Sequence, residues 1–94
     1  MSDEKPIKQL IDKLLRAYGY QDQLDEIELL NLYKEAVGVM YMKHTKNIYF
    51  RDKKLFVKLD SAALKQELQY SKEAIMYKLN QRMGKRIVQE IVVY

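Results

Sequence analysis

Apolar and polar residues alternate along residues 47–59, and this pattern predicts two short strands. A repeat of two residues is typical of strands that bury one face. The apolar positions are Ile48 and Phe50 in the first strand, and Leu55, Val57 and Leu59 in the second. We expect this hairpin to form the centre of the fold, with the remaining elements covering its apolar face.

The two predicted strands are joined by a short loop without glycine. It comprises Arg51, Asp52, Lys53 and Lys54. Aspartate commonly opens a type I turn, because its side chain can accept hydrogen bonds from the backbone that follows. The sequence therefore predicts a type I turn opened by Asp52, with a basic tip.

A helix is predicted directly after the second strand. Leu64 and Leu68 recur one helical turn apart. At the start of this helix, the side chain of Asp60 or Ser61 can accept a hydrogen bond from a backbone N–H group, so either residue can be the cap. We expect the leucine face of this helix to pack on the hairpin.

The helical pattern continues to Met83, but residues 69–71 interrupt its polarity. One long helix and two helices that meet at a bend both fit the sequence. Gly84 is expected to end the helical region. Residues 86–94 then predict a third strand with apolar residues on both faces. Such a strand usually lies at the centre of a sheet or in an interface.

The N-terminal region predicts an amphipathic helix, capped by Ser2 or Asp3 and ended by Gly19. Its apolar residues follow helical spacing and form one stripe. The stripe consists of Ile7, Leu10, Ile11, Leu14, Leu15 and Tyr18. Such a helix could dock on a membrane or a partner, but we expect it to cover its own sheet.

A second helix is predicted to begin near Asp22 or Asp25 and to run through Gly38. Its start, which also holds Glu26 and Glu28, suits the helix dipole and is expected to be solvated. Glycine inside a helix costs about 1 kcal/mol relative to alanine. Its use at position 38 therefore suggests that the helix packs closely against a neighbour there. The expected buried side comprises Ile27, Leu30, Tyr33, Ala36, Val37 and Met40.

The order of elements predicts a single α+β domain over residues 1–94. From the second helix onward, it is the order of a type II KH-like domain, with a three-stranded sheet packed by helices on one face and an extra N-terminal helix. KH domains that grip nucleic acid place a GXXG loop between paired helices. Here Gln69, Tyr70, Ser71 and Lys72 take that place, so that grip is not expected.

One hydrophobic core should join the hairpin to the surrounding elements. Its expected members are apolar residues that recur with strand or helix spacing. They are Ile48, Phe50, Leu55, Val57, Leu64, Leu68, Ile75, Leu79, Ile87 and Ile91, together with Leu10, Leu14 and Val37.

Positive charge is concentrated in the second part of the chain. Residues 1–42 hold five basic and eight acidic side chains, a net charge of −3, whereas residues 43–94 hold twelve and five, a net charge of +7. Polyanion binding is therefore expected in the second part. Interleaved cations and aromatic rings can hold phosphates and stack on unpaired bases. The candidate residues are Lys46, Tyr49, Arg51, Lys53, Lys54, Phe56 and Lys58, with Lys65 and Lys72 as additions.

Enzyme chemistry, a cofactor and a metal site have no support in the sequence. The chain has no cysteine and one histidine, which excludes thiolate zinc sites and cysteine nucleophiles. At a predicted helix end, His44 is more typical of a capping or packing residue than of a general base. Neither a signal peptide nor an apolar run of membrane length is present, so we expect a cytoplasmic protein.

The chain resembles the DciA-like family of bacteria over roughly residues 5–94. The shared features are Tyr33 five residues before Gly38, where the family usually has tryptophan, then His44-Thr45, Leu55-x-Val57, Ser61 and Glu67-Leu68. The resemblance implies a KH-like fold, DNA binding and interaction with the replicative helicase, which DciA helps to load. Larger relatives carry a flexible basic tail that contributes to both contacts. This chain is expected to be a short form without that tail.

Two classes of function follow from these observations. The first is a nucleic-acid-binding accessory protein, with single-stranded or forked DNA as the expected ligand, although a basic hairpin can also be a merely solvated surface. The second is a protein-interaction module without nucleic-acid binding. It is favoured by the apolar segments 39–42 and 91–94, which could form a homodimer or dock a partner.

Overall fold

The computed structural model describes residues 4–94, with side chains from residue 6 onward. The predicted caps Ser2 and Asp3 lie outside these residues. The described elements are α1 (Glu4–Ala17), α2 (Gln21–Val37), α3 (Val39–Lys43), β1 (Thr45–Arg51), β2 (Lys54–Leu59), α4 (Ala62–Met83) and β3 (Glu90–Val93). The predicted α+β class is confirmed, and the arrangement of a three-stranded sheet with helices is consistent with a KH-like domain.

The central strand of the sheet is β2, because the strand order is β1-β2-β3. β1 and β2 are antiparallel, whereas β2 and β3 are parallel. β3 therefore lies at an edge, which excludes the central position, and the expected alternative of an interface stays a prediction.

The third strand is also shorter than predicted, because the chain before it is held by a side chain. The Asn80 carbonyl oxygen accepts hydrogen bonds from the N–H groups of Ile87 and Val88, at 3.0 and 2.9 Å. Its amide group donates to the Val88 carbonyl at 3.0 Å. Backbone groups at this turn are thus paired without a neighbouring strand, and Val88 is buried before β3 begins.

The turn between β1 and β2 has two central residues, since Arg51 pairs with Lys54. Asp52 and Lys53 have φ angles of 52° and 63°, both in the left-handed region. These angles are those of a type I′ turn and correct the predicted type I turn. A type I′ turn follows the right-handed twist of the paired strands, whereas a type I turn would splay them apart.

The hydrophobic core lies between one face of the sheet and helices α2 and α4. Leu55 and Val57 of β2 are completely buried there, as is Leu68 of α4. The core prediction is confirmed for these residues and for Leu64, Leu79 and Ile91. Residues that pack half-buried around them include Val37, Ile48, Phe50, Ile75 and Ile87.

Helix α4 is a single helix of 22 residues, which decides between the two alternatives for this region. The Ser61 hydroxyl accepts a hydrogen bond from the Leu64 N–H group at 3.3 Å, as expected for the cap. Gly84 ends the helix in the left-handed conformation, with φ 72°. Residues 69–72 contain neither glycine nor proline and lie within the helix. The position expected for a GXXG loop is therefore helical.

Gly38 separates α2 from α3, so its predicted place inside a helix was wrong. Its φ and ψ angles of 88° and 178° belong to a region that is essentially restricted to glycine. The break changes the direction of the chain, and Met40 is consequently exposed. Within α2, the buried residues begin at Asp25 and continue through Leu29 to Tyr33. This spacing places Ile27 on the exposed side, contrary to the prediction.

Helix α1 does not enter the core, which corrects the prediction for Leu10 and Leu14. Both side chains are at least half exposed. The apolar face of the sheet is already occupied by α2 and α4. Helix α1 instead approaches α2 with its charged side, and Lys8, Asp12 and Arg16 line the groove between the two helices.

Asp25 explains this orientation of α1. Its side chain is buried, so the predicted solvated position was wrong. The carboxylate pairs with the guanidinium of Arg16, at 3.7 Å, and with the Lys85 ammonium group. A carboxylate is rarely buried without charged partners. Asp25 therefore connects α1, α2 and the segment between α4 and β3.

Candidate nucleic-acid interface

The face of the sheet opposite the core carries most of the predicted binding residues. Strand geometry directs alternate side chains to opposite faces. On β2, Lys54, Phe56 and Lys58 point away from the core, and on β1 their partners are Arg51, Tyr49 and Asn47. β3 adds Glu90 and Val92, and Tyr94 follows directly after it. The helices that pack on the sheet, α2 and α4, belong to the core on the other face. We call this surface the outer face.

An aromatic stack lies at the centre of the outer face. The ring centroids of Tyr49 and Phe56 are 4.6 Å apart, and the ring planes differ by only 9°. Tyr49 is 38% exposed and Phe56 is half-buried. The parallel pairing of β2 with β3 places Val92 beside Phe56 on the other side. The stack is thus a rigid apolar surface that solvent can reach.

Tyr94 extends this aromatic surface. Its backbone N–H group donates to the Val57 carbonyl at 3.0 Å, which fixes Tyr94 alongside β2. Partial desolvation raises the pKa of Tyr49, and the neighbouring phenol of Tyr94 raises it further. The Tyr49 phenol therefore stays neutral at physiological pH, which suits stacking against a base.

Cations lie at both ends of the aromatic stack. In the described part of the chain, Arg51, Lys53 and Lys58 form no ion pair, and all three are exposed. Lys54 lies 3.8 Å from the Glu90 carboxylate, an exposed pair that solvent screens. The hairpin thus presents positive charges beside stacked rings, as the sequence predicts.

The predicted residue Lys46 is less available than these cations. It lies where β1 departs from regular pairing, and its ammonium group is 3.2 Å from the Asp60 carboxylate. The ring of His44, which ends α3, is 2.7 Å from the same carboxylate. This hydrogen bond from His44, with a smaller contribution from Lys46, lowers the pKa of Asp60. Asp60 is therefore ionised at neutral pH, and its negative charge partly offsets the positive charge of Lys46.

Lys65 and Lys72 are not brought together with the hairpin. Both belong to α4, which packs against the opposite face of the sheet. A ligand on the outer face would have to pass around the edge of the sheet to reach them. The structure thus divides the predicted set into residues of the hairpin and two residues behind it.

A groove of about 530 Å³ separates the hairpin tip from α2. Arg51 and Lys53 line one side, whereas Asp22 and Glu26 line the other. Carboxylates repel phosphates, so this acidic wall disfavours a nucleic-acid backbone within the groove.

The described residues contain neither a metal-binding cluster nor a membrane-spanning helix. No group of three or more histidine, cysteine, aspartate or glutamate side chains is arranged to hold a metal ion there. None of the helices described has the length and apolar character needed to cross a membrane.

Comparison with protein families gives one match of nearly full length. The family described as "Dna[CI] antecedent, DciA" matches residues 6–93. The chain belongs to the DciA family. This family is one of replicative helicase loaders in DNA replication rather than a known family of enzymes. No curated protein gives a significant match to the chain.

The residues that carry the DciA resemblance have structural roles in this chain. Gly38 provides the break between α2 and α3, and Ser61 caps α4. Thr45 donates a hydrogen bond to the Tyr41 carbonyl at 2.6 Å, and Tyr41 in turn donates to the Glu67 carboxylate at 2.7 Å. The shared motif therefore specifies the fold, whereas the outer face lies largely outside it.

Sequence reasoning missed two side chains that position the interface. Asn80 holds the segment that leads into β3, and Asp25 pairs with Lys85 in the same segment. Both contacts place β3 beside β2 and thereby bring Tyr94 to the outer face. A buried aspartate within an acidic run gives no local signal, since its partner lies 60 residues away.

Proposed function

We propose that this protein is a non-enzymatic accessory factor of DNA replication that binds single-stranded or forked DNA on its outer face. The observation that carries the proposal is the stack of Tyr49 on Phe56 beside unpaired cations of the hairpin. Membership of the DciA family supports a role at the replicative helicase. A cytoplasmic location follows from that role.

The geometry favours single strands over duplex. Bases of a single strand are free to stack on aromatic rings, while cations at the edge hold the phosphates. In a duplex, the faces of the bases are already stacked on each other, so only phosphate contacts remain. Tyr49, Phe56 and Tyr94 would then contribute little. We therefore expect affinity for a single strand to exceed affinity for duplex of the same length.

The binding test compares two sets of charge changes by fluorescence anisotropy at low and moderate salt. Replacing Arg51, Lys53 and Lys54 with glutamine removes up to three phosphate contacts. The slope of log affinity against log salt should then fall by about 2 for a single strand. The matched control changes Lys8 and Lys13 of α1 to glutamine and should leave binding unchanged. Absence of binding at low salt, or equal losses from both sets, would contradict the proposal.

The helicase partner requires a separate measurement. A pull-down from the native cell, with this protein as bait, should recover the replicative helicase. The glutamine variant of the hairpin should be tested in parallel after nuclease treatment, so that DNA does not bridge the two proteins. Recovery without DNA supports a direct contact. Failure to recover the helicase would leave DNA binding as the only proposed activity.

A protein-interaction module without nucleic-acid binding is the second candidate function. It is favoured by the exposure of Val39 and Met40 on α3, at 74% and 64%. In the described part of the chain, the outer edge of β3 also has no neighbouring strand. Such an edge can accept a strand from a partner. If neither DNA form binds at low salt, this second function becomes the better one.

A further inference from the structure

Helix α1 carries a continuous apolar stripe that faces away from the domain. Ile7, Leu10, Ile11 and Leu14 are 62%, 59%, 49% and 50% exposed, and Tyr18 is 76% exposed. Their spacing places all five on one side of the helix. Single apolar residues on a surface are ordinary, but a contiguous row of this kind indicates an interaction surface.

The stripe cannot easily turn towards the domain, because the opposite side of α1 is held by charges. The Arg16 guanidinium partly neutralises the negative charge of Asp25, which is only 7% exposed. Rotating α1 to bury Leu10 and Leu14 would withdraw this guanidinium from the buried carboxylate. The domain also offers no free apolar face on the core side of its sheet, where α2 and α4 already pack.

We propose that the α1 stripe is the interface between two copies of this chain, which pair antiparallel about a two-fold axis. In a two-fold interface, the same patch of each copy contacts the other, so the patch must be self-complementary. An axis that passes between Ile11 and Leu14 meets this condition. It places Leu14 opposite the partner subunit's Ile11, and Tyr18 opposite the partner subunit's Ile7.

The area of the stripe agrees with that required for a dimer. Its five residues together expose roughly 600 Å² in each copy, so burial of all of this surface would remove at most about 1,200 Å² from solvent, the lower limit of the range for specific interfaces. The interface is almost entirely apolar, as is typical of homodimers. We therefore expect a reversible dimer that dissociates on dilution.

A second copy suits this stripe better than a membrane surface does. Helices that lie on anionic membranes carry free cations along the border of their apolar face. On α1, Lys8 and Arg16 line the groove with α2, and Arg16 is paired with Asp25, which leaves Lys13 as the exposed cation outside the groove in residues 6–17. Attraction to lipid headgroups is correspondingly weak.

Sedimentation equilibrium over a range of protein concentrations tests the dimer. Changing Leu10 and Leu14 together to glutamine should raise the dissociation constant by about 100-fold or more, because two apolar side chains in each copy lose their burial. The matched control is the Lys8→Gln, Lys13→Gln variant of the same helix, which should dimerise like the parent. A parent that stays monomeric at every concentration, or a leucine variant that dimerises normally, would overturn the proposal.

Disulfide cross-linking tests the antiparallel arrangement without depending on the leucine variant. The chain has no cysteine, so one introduced thiol gives an unambiguous result. Ile11→Cys lies near the proposed axis and should form a covalent dimer on mild oxidation. In the Ile7→Cys variant, the two introduced thiols lie about 16 Å apart along the paired helices, so no disulfide should form. Efficient cross-linking of Ile7→Cys, or none by Ile11→Cys, contradicts the antiparallel pairing.

A sedimentation assay with vesicles distinguishes a dimer interface from a lipid-binding surface. Parent protein is mixed with vesicles of phosphatidylglycerol and phosphatidylcholine and then sedimented. Protein that remains in the supernatant as a dimer supports the proposal. Monomeric protein that sediments with the vesicles, and is released by the leucine changes, would assign the stripe to a lipid surface instead. DNA binding by the outer face is independent of either result.

Discussion

The two faces of the sheet are built from the same alternating strands but differ in what covers them. Leu55 and Val57 lie under α2 and α4 and are completely buried. Phe56, between them in sequence, points to the outer face and stacks on Tyr49. Both faces thus contain large apolar side chains. The difference shows that the position of the helices, rather than hydrophobicity, decides which face forms the core and which remains available to a ligand.

The largest expected effect is on the core face. Leu64→Ala or Leu68→Ala should lower the free energy of unfolding by about 2–5 kcal/mol, as large-to-small changes in cores do. Urea denaturation followed by circular dichroism measures this value. Lys65→Ala on the same helix is the control and should change stability little. A Leu68→Ala variant as stable as the parent would show that α4 does not pack on the hairpin.

Changes on the outer face should weaken DNA binding more than they lower the stability of the fold. Phe56→Ala and Tyr49→Ala remove stacking that is worth about 1–3 kcal/mol for each base, a 5- to 150-fold loss of affinity for single-stranded DNA. Anisotropy titration of each variant gives the loss, and a thermal melt gives the change in stability. Tyr70→Ala, an exposed tyrosine on α4, serves as control. Equal affinity of all three variants and the parent would remove the outer face as the binding surface.

Two tyrosines near the core test how a buried hydroxyl affects stability. The Tyr33 hydroxyl is buried and has no hydrogen-bond partner among the described residues. Tyr33→Phe should therefore be neutral or stabilising, by up to about 1–2 kcal/mol, whereas Tyr41→Phe removes the bond to Glu67 and should cost about 0.5–1.5 kcal/mol. Chemical denaturation of both variants shows which change costs more stability. A marked loss in Tyr33→Phe would reveal a partner for that hydroxyl.

The same tyrosines predict a dependence of stability on alkaline pH. Burial raises the pKa of Tyr33, and burial with the Glu67 hydrogen bond raises the pKa of Tyr41 to about 12. The unfolded chain ionises at the ordinary value of 10.0. The contribution of these two tyrosines to stability should accordingly be constant below pH 10 and be lost above it, since the unfolded state then loses protons first. A melting temperature that stays unchanged up to pH 11 would contradict this expectation.

The smallest expected effect lies at the border of the outer face, at Asp60. The hydrogen bond from His44, followed by the contribution of Lys46, lowers its pKa. A lowered pKa stabilises the folded state above the ordinary aspartate value of 3.8 and ceases to do so as the pH falls through the folded value. Asp60→Asn should therefore reduce the acid sensitivity of the melting temperature. An unchanged acid profile would show that the pair with His44 is not formed.

The local parts of the fold were predictable from sequence, and the parts that depend on distant residues were not. Alternation gave the hairpin, and the Ser61 cap and Gly84 end gave the bounds of α4. The orientation of α1 follows from the pair of Arg16 with Asp25, and Asp25 is held in its buried position by Lys85, which is 60 residues away. No local pattern reports such a contact. The amphipathic stripe of α1 therefore predicted a buried face where the structure has an exposed one.

The candidate site shows the same division between local and distant information. The hairpin residues are contiguous, so strand alternation places Tyr49, Phe56 and the nearby cations together. Lys65 and Lys72 were grouped with them by charge alone, although a helix sequence does not tell which side of the sheet the helix covers. Tyr94 joins the outer face only through the parallel pairing of β3 with β2. These two strands are separated in sequence by the whole of α4, so no local pattern predicts their pairing.

The type I′ turn at the hairpin tip implies a compromise between folding and charge. Both central residues have positive φ, a conformation that aspartate, asparagine and glycine tolerate but that lysine adopts at a cost of about 1–2 kcal/mol. A chain selected for stability alone would carry Asn-Gly there. Retaining Lys53 keeps an exposed cation at the tip of the hairpin. We expect Lys53→Gly to raise the melting temperature and weaken DNA binding together, as in enzymes whose active sites are less stable than they could be.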